Sequence, residues 1–302
     1  MLGRMFKVAV LACVALSTAC PEDPLVLRAK GLIHQDRYPE AEQALRDYLS
    51  AHASSADATY LLAYVLFREN QPARSLETYT AAAKLQRPTA DDFKIVGLDY
   101  VLLNDYPDAV RWLERAVAEG PNEAETLYDL GRAYYVQNNF DKAIAMFTRA
   151  LALDPRSLKA KNNLGLAFEG KNELDKAENC YREAIEIGKE TGKESDQPYL
   201  NLADWLSHKN RLPEALQAVE RAEQIGGKSE RGEELRGKIL LAEDHLGEAE
   251  EAFRAALVLN SKSGSLHYQL GRVLRREGKE QEATRQFEQT KSLLATQSPK
   301  NQ

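Results

Sequence analysis

Residues able to ligate metal, attack a carbonyl or hold a phosphate occur in this sequence, but their spacing brings few of them together. The five histidines, His34, His52, His208, His245 and His267, form no metal-ligand pair. There is no CxxC, HExxH or DxDxDG, the spacings that place several ligands on one ion. No GxSxG elbow presents an activated serine. Three cysteines, Cys13, Cys20 and Cys180, are too few for a disulfide framework. The segment AEQIGGKS (222–229) satisfies a relaxed phosphate-loop pattern through Gly227, Lys228 and Ser229. Such a loop cradles phosphate only where a strand precedes it and a helix follows, so the surrounding elements decide what it is. From these residues we expect no catalytic site, no metal, no cofactor and no nucleotide.

Composition narrows the partners. The 302 residues carry 40 Lys and Arg against 46 Asp and Glu, a net charge of −6. Without the first 19 residues, Arg4 and Lys7 are lost and no acid, which leaves 38 against 46, or −8. A chain with no basic excess has little to neutralise a phosphate backbone, so nucleic acid is not an expected partner. The hydrophobic share of 43% and the charged share of 28% are those of a soluble globular body.

The first twenty residues read as a leader. Arg4 and Lys7 precede an apolar run from Val8 to Leu16, and small residues follow. That order is a secretory signal, and the run is shorter than the ~20 apolar residues of a spanning helix. ALSTAC (15–20) resembles a bacterial lipobox, with Cys20 as the residue acylated after cleavage; Ser17 stands where that motif usually has Leu. Ordinary signal peptidase cleavage, for which Ser17 and Ala19 also suit, is the alternative, and an uncleaved anchor is a third. A cut at VLAC, ending at Cys13, leaves too short an apolar run. Acyl chains contribute about 0.8 kcal/mol per buried CH₂, enough to hold a soluble body to a membrane. The expected divisions are a signal peptide at 1–19 and a lipid attachment and tether at 20–21. Asp23 and Pro24 already suit a helix cap and first turn, so the folded body would begin within roughly 15 Å of the lipid. The corresponding location is the periplasmic side of a bacterial envelope, lipid-anchored, or else secreted and soluble.

The remainder repeats itself. LGRAYYVQNNFDKAIAMFTRALALDP (130–155) resembles a tetratricopeptide repeat: Leu130, Gly131, Tyr134, Ala143, Phe147, Ala150 and Pro155 fall at that family's positions 7, 8, 11, 20, 24, 27 and 32. Steps of 34 residues put Gly or Ala at position 8 throughout (Ala29, Ala63, Gly97, Gly131, Gly165, Ala203, Gly237, Gly271). Position 20 is likewise small (Ala41, Ser75, Ala109, Ala143, Ala177, Ala215, Ala249, Ala283), and position 24 is large and apolar in every unit. Only the step from Gly165 to Ala203 differs, at 38. The resemblance implies an all-α, right-handed α-solenoid of about eight helix-turn-helix units over 22–297. The units start at 22, 56, 90, 124, 158, 196, 230 and 264, and a disordered tail occupies 298–302. Pro39, Pro107 and Pro213 mark first turns of second helices, where a missing N–H costs nothing. KETGKESDQP (189–198), which holds the four additional residues, reads as a longer surface loop. In this register AEQIGGKS follows a second helix, with Ala222 at position 27, and so lies at an inter-repeat turn rather than after a strand. Cys180 lies beside Tyr181 on a second helix and reads as a half-buried small hydrophobe; if Cys20 carried no lipid, the two could pair. The matches weaken at the ends (Arg28, Tyr48, Thr290), as terminal repeats do.

In the family, positions 2, 5, 9, 12 and 13 of the first helices, often with position 6, line a concave groove. By register this points to Tyr60, Tyr64 and Phe67; Tyr128, Arg132 and Tyr135; Asn162, Asn163, Asn201 and Asp204; and Tyr268, Arg272, Arg275 and Arg276. Tyrosine and arginine dominate interface hot spots, and an asparagine amide can both donate to and accept from a peptide backbone. Asn163 and Asn201 at position 6 resemble the asparagine ladder of the O-GlcNAc transferase superhelix, though Asp129, Leu235 and Gln269 hold that position in other units. The two-carboxylate clamp of chaperone-binding repeats fails, because Leu98 stands where Asn is needed beside Lys94. Solvated or inter-repeat packing is the plain alternative for each of these side chains. The trio Arg272, Arg275 and Arg276 suits an acidic segment or a carboxylate, unless Glu277, Glu280 and Glu282 neutralise it locally. The expected function is a scaffold that binds a protein or extended peptide during envelope assembly or quality control, like the repeat-bearing lipoproteins that act as pilotins or adaptors. A structural homo-oligomer built through the solenoid end near Leu293 and Leu294 is the alternative, and a hydrolase with an unrecognised site a more distant one.

Overall fold

The computed structural model describes residues 23–121 and 123–297. The expected signal peptide, Cys20 with its tether, and the tail 298–302 lie outside the described residues. Among the described residues there are sixteen α-helices and no strand. They are α1 (Pro24–His34), α2 (Tyr38–Ala51), α3 (Ala56–Arg68), α4 (Pro72–Leu85), α5 (Ala90–Leu102), α6 (Tyr106–Glu119), α7 (Ala124–Val136), α8 (Phe140–Leu153), α9 (Leu158–Gly170), α10 (Leu174–Thr191), α11 (Asp196–His208), α12 (Leu212–Gly226), α13 (Glu230–Ala242), α14 (Leu246–Leu259), α15 (Gly264–Arg276) and α16 (Glu280–Gln297). The chain is an all-α solenoid in which each odd helix packs against the even one that follows. It divides into two compact units, α1–α4 before Thr89 and α5–α16 from Thr89 onward. None of the described helices is long and apolar enough to cross a membrane.

The local signals are strong. Ser55, Thr89, Ser157, Ser195, Ser229 and Ser263 each precede a first helix and accept a backbone N–H of its first turn, which satisfies donors the helix cannot. Inside each repeat the chain turns through one left-handed residue: Asp36, Asn70, Asn104, Asn138, Asn172, Asn210, Asp244 and Gly278, with φ between 55° and 78°. All eight stand at position 15 of their repeats. The next N–H reaches back into the first helix, as Arg37 does to the Leu32 carbonyl and Asn139 to that of Tyr134, both at 2.9 Å. This closes the helix end by the Schellman pattern, which needs a residue that tolerates positive φ.

Packing explains the small residues at positions 8 and 20. Ala41, Ala109, Ala143, Ala177, Ala215 and Ala249 are fully buried. A Cβ added at Gly131 would lie 2.7 Å from the Phe147 ring, and one at Gly165 would lie 2.5 Å from the Tyr181 ring. The large side chain at position 24 thus seats on position 8 of its own repeat. Ser75, the one polar residue at position 20, sends its hydroxyl 3.0 Å to the Ala63 carbonyl.

One expectation is corrected. The four additional residues after Gly188 do not make a longer loop; α10 runs one turn further, to Thr191, and Gly192 ends it with φ 65°. Ile185 and Gly188 stay buried there, and Leu158 lies against Gly188.

Candidate functional site

In the unit that starts at Thr89, the first helices α5, α7, α9, α11 and α13 touch in succession. Their shared face carries a lane of aromatic, amide and charged groups tied to one another. On α7, Tyr128, Arg132 and Tyr135 recur at four and three residues, one helical face. The half-buried Tyr128 ring leans on Phe147 with centroids 5.9 Å apart. Lys159 of α9 sits 4.6 Å from its centroid and Arg132 lies 5.9 Å away. Asn163 donates its amide both to the Tyr128 hydroxyl, at 3.3 Å, and to the Lys159 carbonyl, at 2.8 Å.

The lane continues on α11 and α13. Asn201 donates to the Asn162 side-chain oxygen at 2.8 Å, and Arg231 donates to the Asn201 oxygen at 2.7 Å. Asn162 and Asn201 are 7% and 3% exposed, so little of either amide is left for a ligand. Tyr135 leans on Phe140 with centroids 5.7 Å apart. Burial, with Glu169 nearby, pushes its hydroxyl pKa up. Asp204 is half-buried and bonded through its own carbonyl to His208.

Position 2 forms a second thread along the same face: Lys159 lies 3.5 Å from Glu125, and Arg231 reaches Gln197 at 3.4 Å. Lys94 of α5 joins it at 3.7 Å from Glu125. Glu125, Lys159, Gln197 and Arg231 were not singled out from the sequence, although their register position faces the groove. Asp129 lies within this charge network; burial lifts its carboxyl to about 6, against the pull of Lys94, Lys159 and Arg132.

The other groove candidates are placed as follows. Tyr60, Tyr64 and Phe67 stand on α3, in the unit before Thr89, and are half-buried. Tyr60 donates to the Gln86 carbonyl at 2.8 Å. Tyr64 accepts from Arg68, whose guanidinium also stacks over Tyr38 at 4.6 Å and pairs with Asp36 at 3.4 Å. On α15, Tyr268, Arg272, Arg275 and Arg276 are all exposed. Arg276 pairs with Asp244, the left-handed residue of the preceding repeat, and with the Leu241 carbonyl. Arg68 and Asp36 make the same contact between the first two repeats. Glu277 and Glu282 are taken by Lys279 and Arg254 rather than by the trio.

The phosphate-loop lookalike is an inter-repeat turn. Gly227 ends α12 with φ 77°, Ser229 caps α13, and Lys228 pairs with the buried Glu233 at 2.6 Å. Cys180 is buried against Gly165, and burial lifts its thiol to about 11, the opposite of an activated nucleophile. On the second-helix side, a cleft of about 440 Å³ lies between α10 and α12 over Leu202 and Leu206. Its cations Arg182, Lys189 and Arg221 are already paired with Glu178, Glu186 and Glu194.

Paired helices at this period, with Gly or Ala at the crossing and a left-handed turn inside each pair, define a helical-repeat protein. The tetratricopeptide repeat family matches residues 26–92, 97–144 and 128–190, and a tetratricopeptide repeat-like domain matches 164–271, so the chain belongs to the tetratricopeptide repeat family. None of the curated proteins matches it. Among solved structures, it is similar to a tetratricopeptide repeat protein from Parabacteroides merdae, at 18% identity over 83% of this chain and 97% of that one, with a TM-score of 0.65. It is similar to pilF of Pseudomonas aeruginosa at 18% identity, over 69% of this chain and 93% of that one, with a TM-score of 0.58. In the anaphase-promoting complex hetero-tetramer Cut9–Hcn1 the likeness is 14%, over 89% of this chain and 52% of that one, with a TM-score of 0.65. At these identities the likeness is one of fold. The fold is one used as a protein-interaction scaffold.

Proposed function

We propose that this protein is an exported, lipid-anchored scaffold that binds a protein or extended peptide on the first-helix face of residues 124–242, in a pilotin-like or adaptor-like role in the bacterial envelope. The observation that carries the binding reading is the lane itself. Tyr128 is held by Phe147, Asn163 and Lys159, and Tyr135 by Phe140, yet both rings remain half-open and Arg132 is exposed. Side chains already fixed in place lose little entropy when a partner arrives, and tyrosine and arginine are the types that then contribute most. The envelope and lipid parts rest on the charged, apolar and small segments before Cys20, and the fold likeness to pilF is compatible with them. Binding, rather than turnover, is the activity this surface suits.

The test is photo-crosslinking in living cells, with the probe at Arg132 or Tyr135 and a control probe at the exposed Thr148 of α8. A discrete envelope protein captured from α7 and not from Thr148 supports the reading. Capture from Thr148 alone moves the binding surface to the second helices, and capture of cytosolic proteins alone removes the export proposal.

A further inference from the structure

The arginine trio of α15 divides in the structure. Arg276 is neutralised by Asp244. Arg272 and Arg275 are not paired with a carboxylate among the described residues: Arg272 donates to the neutral Gln269 at 2.9 Å, and Arg275 lies over the Phe287 ring, 4.7 Å from its centroid. Tyr268 leans on the same ring, with centroids 5.8 Å apart and 48% of the residue exposed. Tyr268, Arg272 and Arg275 are spaced by four and three residues and so share one face of α15.

This contrasts with comparable cations on the second helices. Arg46, Arg182 and Arg254 each have a glutamate four residues earlier, Glu42, Glu178 and Glu250. On α13, Lys238 has Glu234 at 2.7 Å. Two guanidinium groups three residues apart repel each other unless an anion lies between or beside them. A guanidinium stacked on a ring keeps its in-plane N–H donors free for a carboxylate. Phe287 therefore fixes Arg275 without using its hydrogen bonds.

We propose that the Tyr268–Arg272–Arg275 face receives an acidic segment of the partner protein, two of its Asp or Glu side chains meeting the two guanidinium groups while Tyr268 packs on the intervening backbone. This rests on the reading of the first helices as the partner surface and adds the partner's chemistry to it.

The test uses the full chain and three probes: a short Asp- and Glu-rich peptide, its Asn- and Gln-substituted twin, and a Lys-rich peptide, titrated by fluorescence anisotropy. At ~50 mM salt the acidic peptide should bind and its amide twin should not, and binding should weaken sharply at ~300 mM salt. Arg272→Gln with Arg275→Gln should weaken it by about tenfold or more, at an unchanged thermal midpoint. Arg272→Lys with Arg275→Lys, which keeps the charge and loses the fork, should fall between. Equal binding of the twin, full binding by the glutamine variant, or no binding of the acidic peptide overturns the proposal. Binding of phosphatidylglycerol vesicles instead of the peptide, lost in the glutamine variant, also overturns it and makes the face a lipid contact. If the peptide fails while probes at Arg132 or Tyr135 still capture a protein, the acidic-segment inference falls and the scaffold reading stands; if the crosslinks fail as well, both fall.

Discussion

Asn201 donates its side-chain amide to the side-chain oxygen of Asn162 at 2.8 Å, joining two successive first helices through a pair of buried residues. Arg231 of the third helix then occupies the Asn201 oxygen at 2.7 Å. Of the two asparagines that resemble a peptide-binding ladder in sequence, Asn201 is thus spent on joining repeats, while the half-buried Asn163 gives its amide N–H groups to Tyr128 and Lys159. Asn201→Ala leaves the Asn162 oxygen and the Arg231 guanidinium without this partner and should cost about 1–3 kcal/mol. A double-mutant cycle with Asn162→Ala, read by urea denaturation, should show a coupling of about 0.5–3 kcal/mol. Additive losses would mean the contact carries no stability.

Asp129 sets a pH dependence. Its native pKa of about 6 lies above the unfolded 3.8 because burial disfavours the charged form, with Glu125 adding to the rise and Lys94, Lys159 and Arg132 opposing it. The folded state holds the proton more tightly, so this residue's contribution is fully present below pH ~4 and is lost as pH rises to ~6. Asp129→Asn should raise stability at pH 7.5 by about 1–3 kcal/mol and flatten that part of the profile. A variant less stable than the parent at pH 7.5 would contradict this.

The crossing points distinguish glycines. Gly165→Ala forces a methyl against Tyr181, whose ring is fully buried and whose hydroxyl is held by Glu169 at 2.6 Å. Overpacking of this kind costs about 1–3 kcal/mol, more than the roughly 1 kcal/mol that alanine gains in a helix. At Gly31 of α1 nothing among the described residues lies within 4 Å of an added Cβ, and Gly31→Ala should stabilise by up to ~1 kcal/mol. Circular-dichroism melts of the two variants should move in opposite directions.

The left-handed turn at position 15 gives a third stability test. Asn138, at φ 57°, should tolerate Gly and lose about 1–2 kcal/mol on replacement by a β-branched residue, which is strained there. Asn138→Val with an unchanged melt would show that the turn rearranges freely.

Cys20 should take up a clickable palmitate analogue in cells and sediment with membranes, and Cys20→Ser should abolish both. Labelled protein in that variant would remove the lipid assignment.

Much of the fold is legible in the residues themselves. A period of 34 with small groups at positions 8 and 20 and a large one at 24 specifies paired helices, because the close crossing leaves room only for a hydrogen, a methyl or, at Ser75, a hydroxymethyl bonded to the facing carbonyl. The turn is equally legible: Asn, Asp or Gly at every position 15 is a left-handed signature. The added turn of α10 was not legible, because KETGKESDQP has a loop's composition and only burial of Ile185 and Gly188 against neighbouring helices favours helix there.

Register on its own assigns Asn162, Asn201, Arg272 and Arg276 to one face and cannot say which of them are already engaged. Helical periodicity is a local property, set by residues a few positions apart. Polar pairing is decided between side chains 32 to 39 residues apart, such as Arg276 with Asp244 and Asn201 with Asn162. Those distances exist only once the repeats have stacked, and they separate the buried amides from the half-open rings of Tyr128 and Tyr135 and from Arg272 and Arg275, which pair with no carboxylate among the described residues.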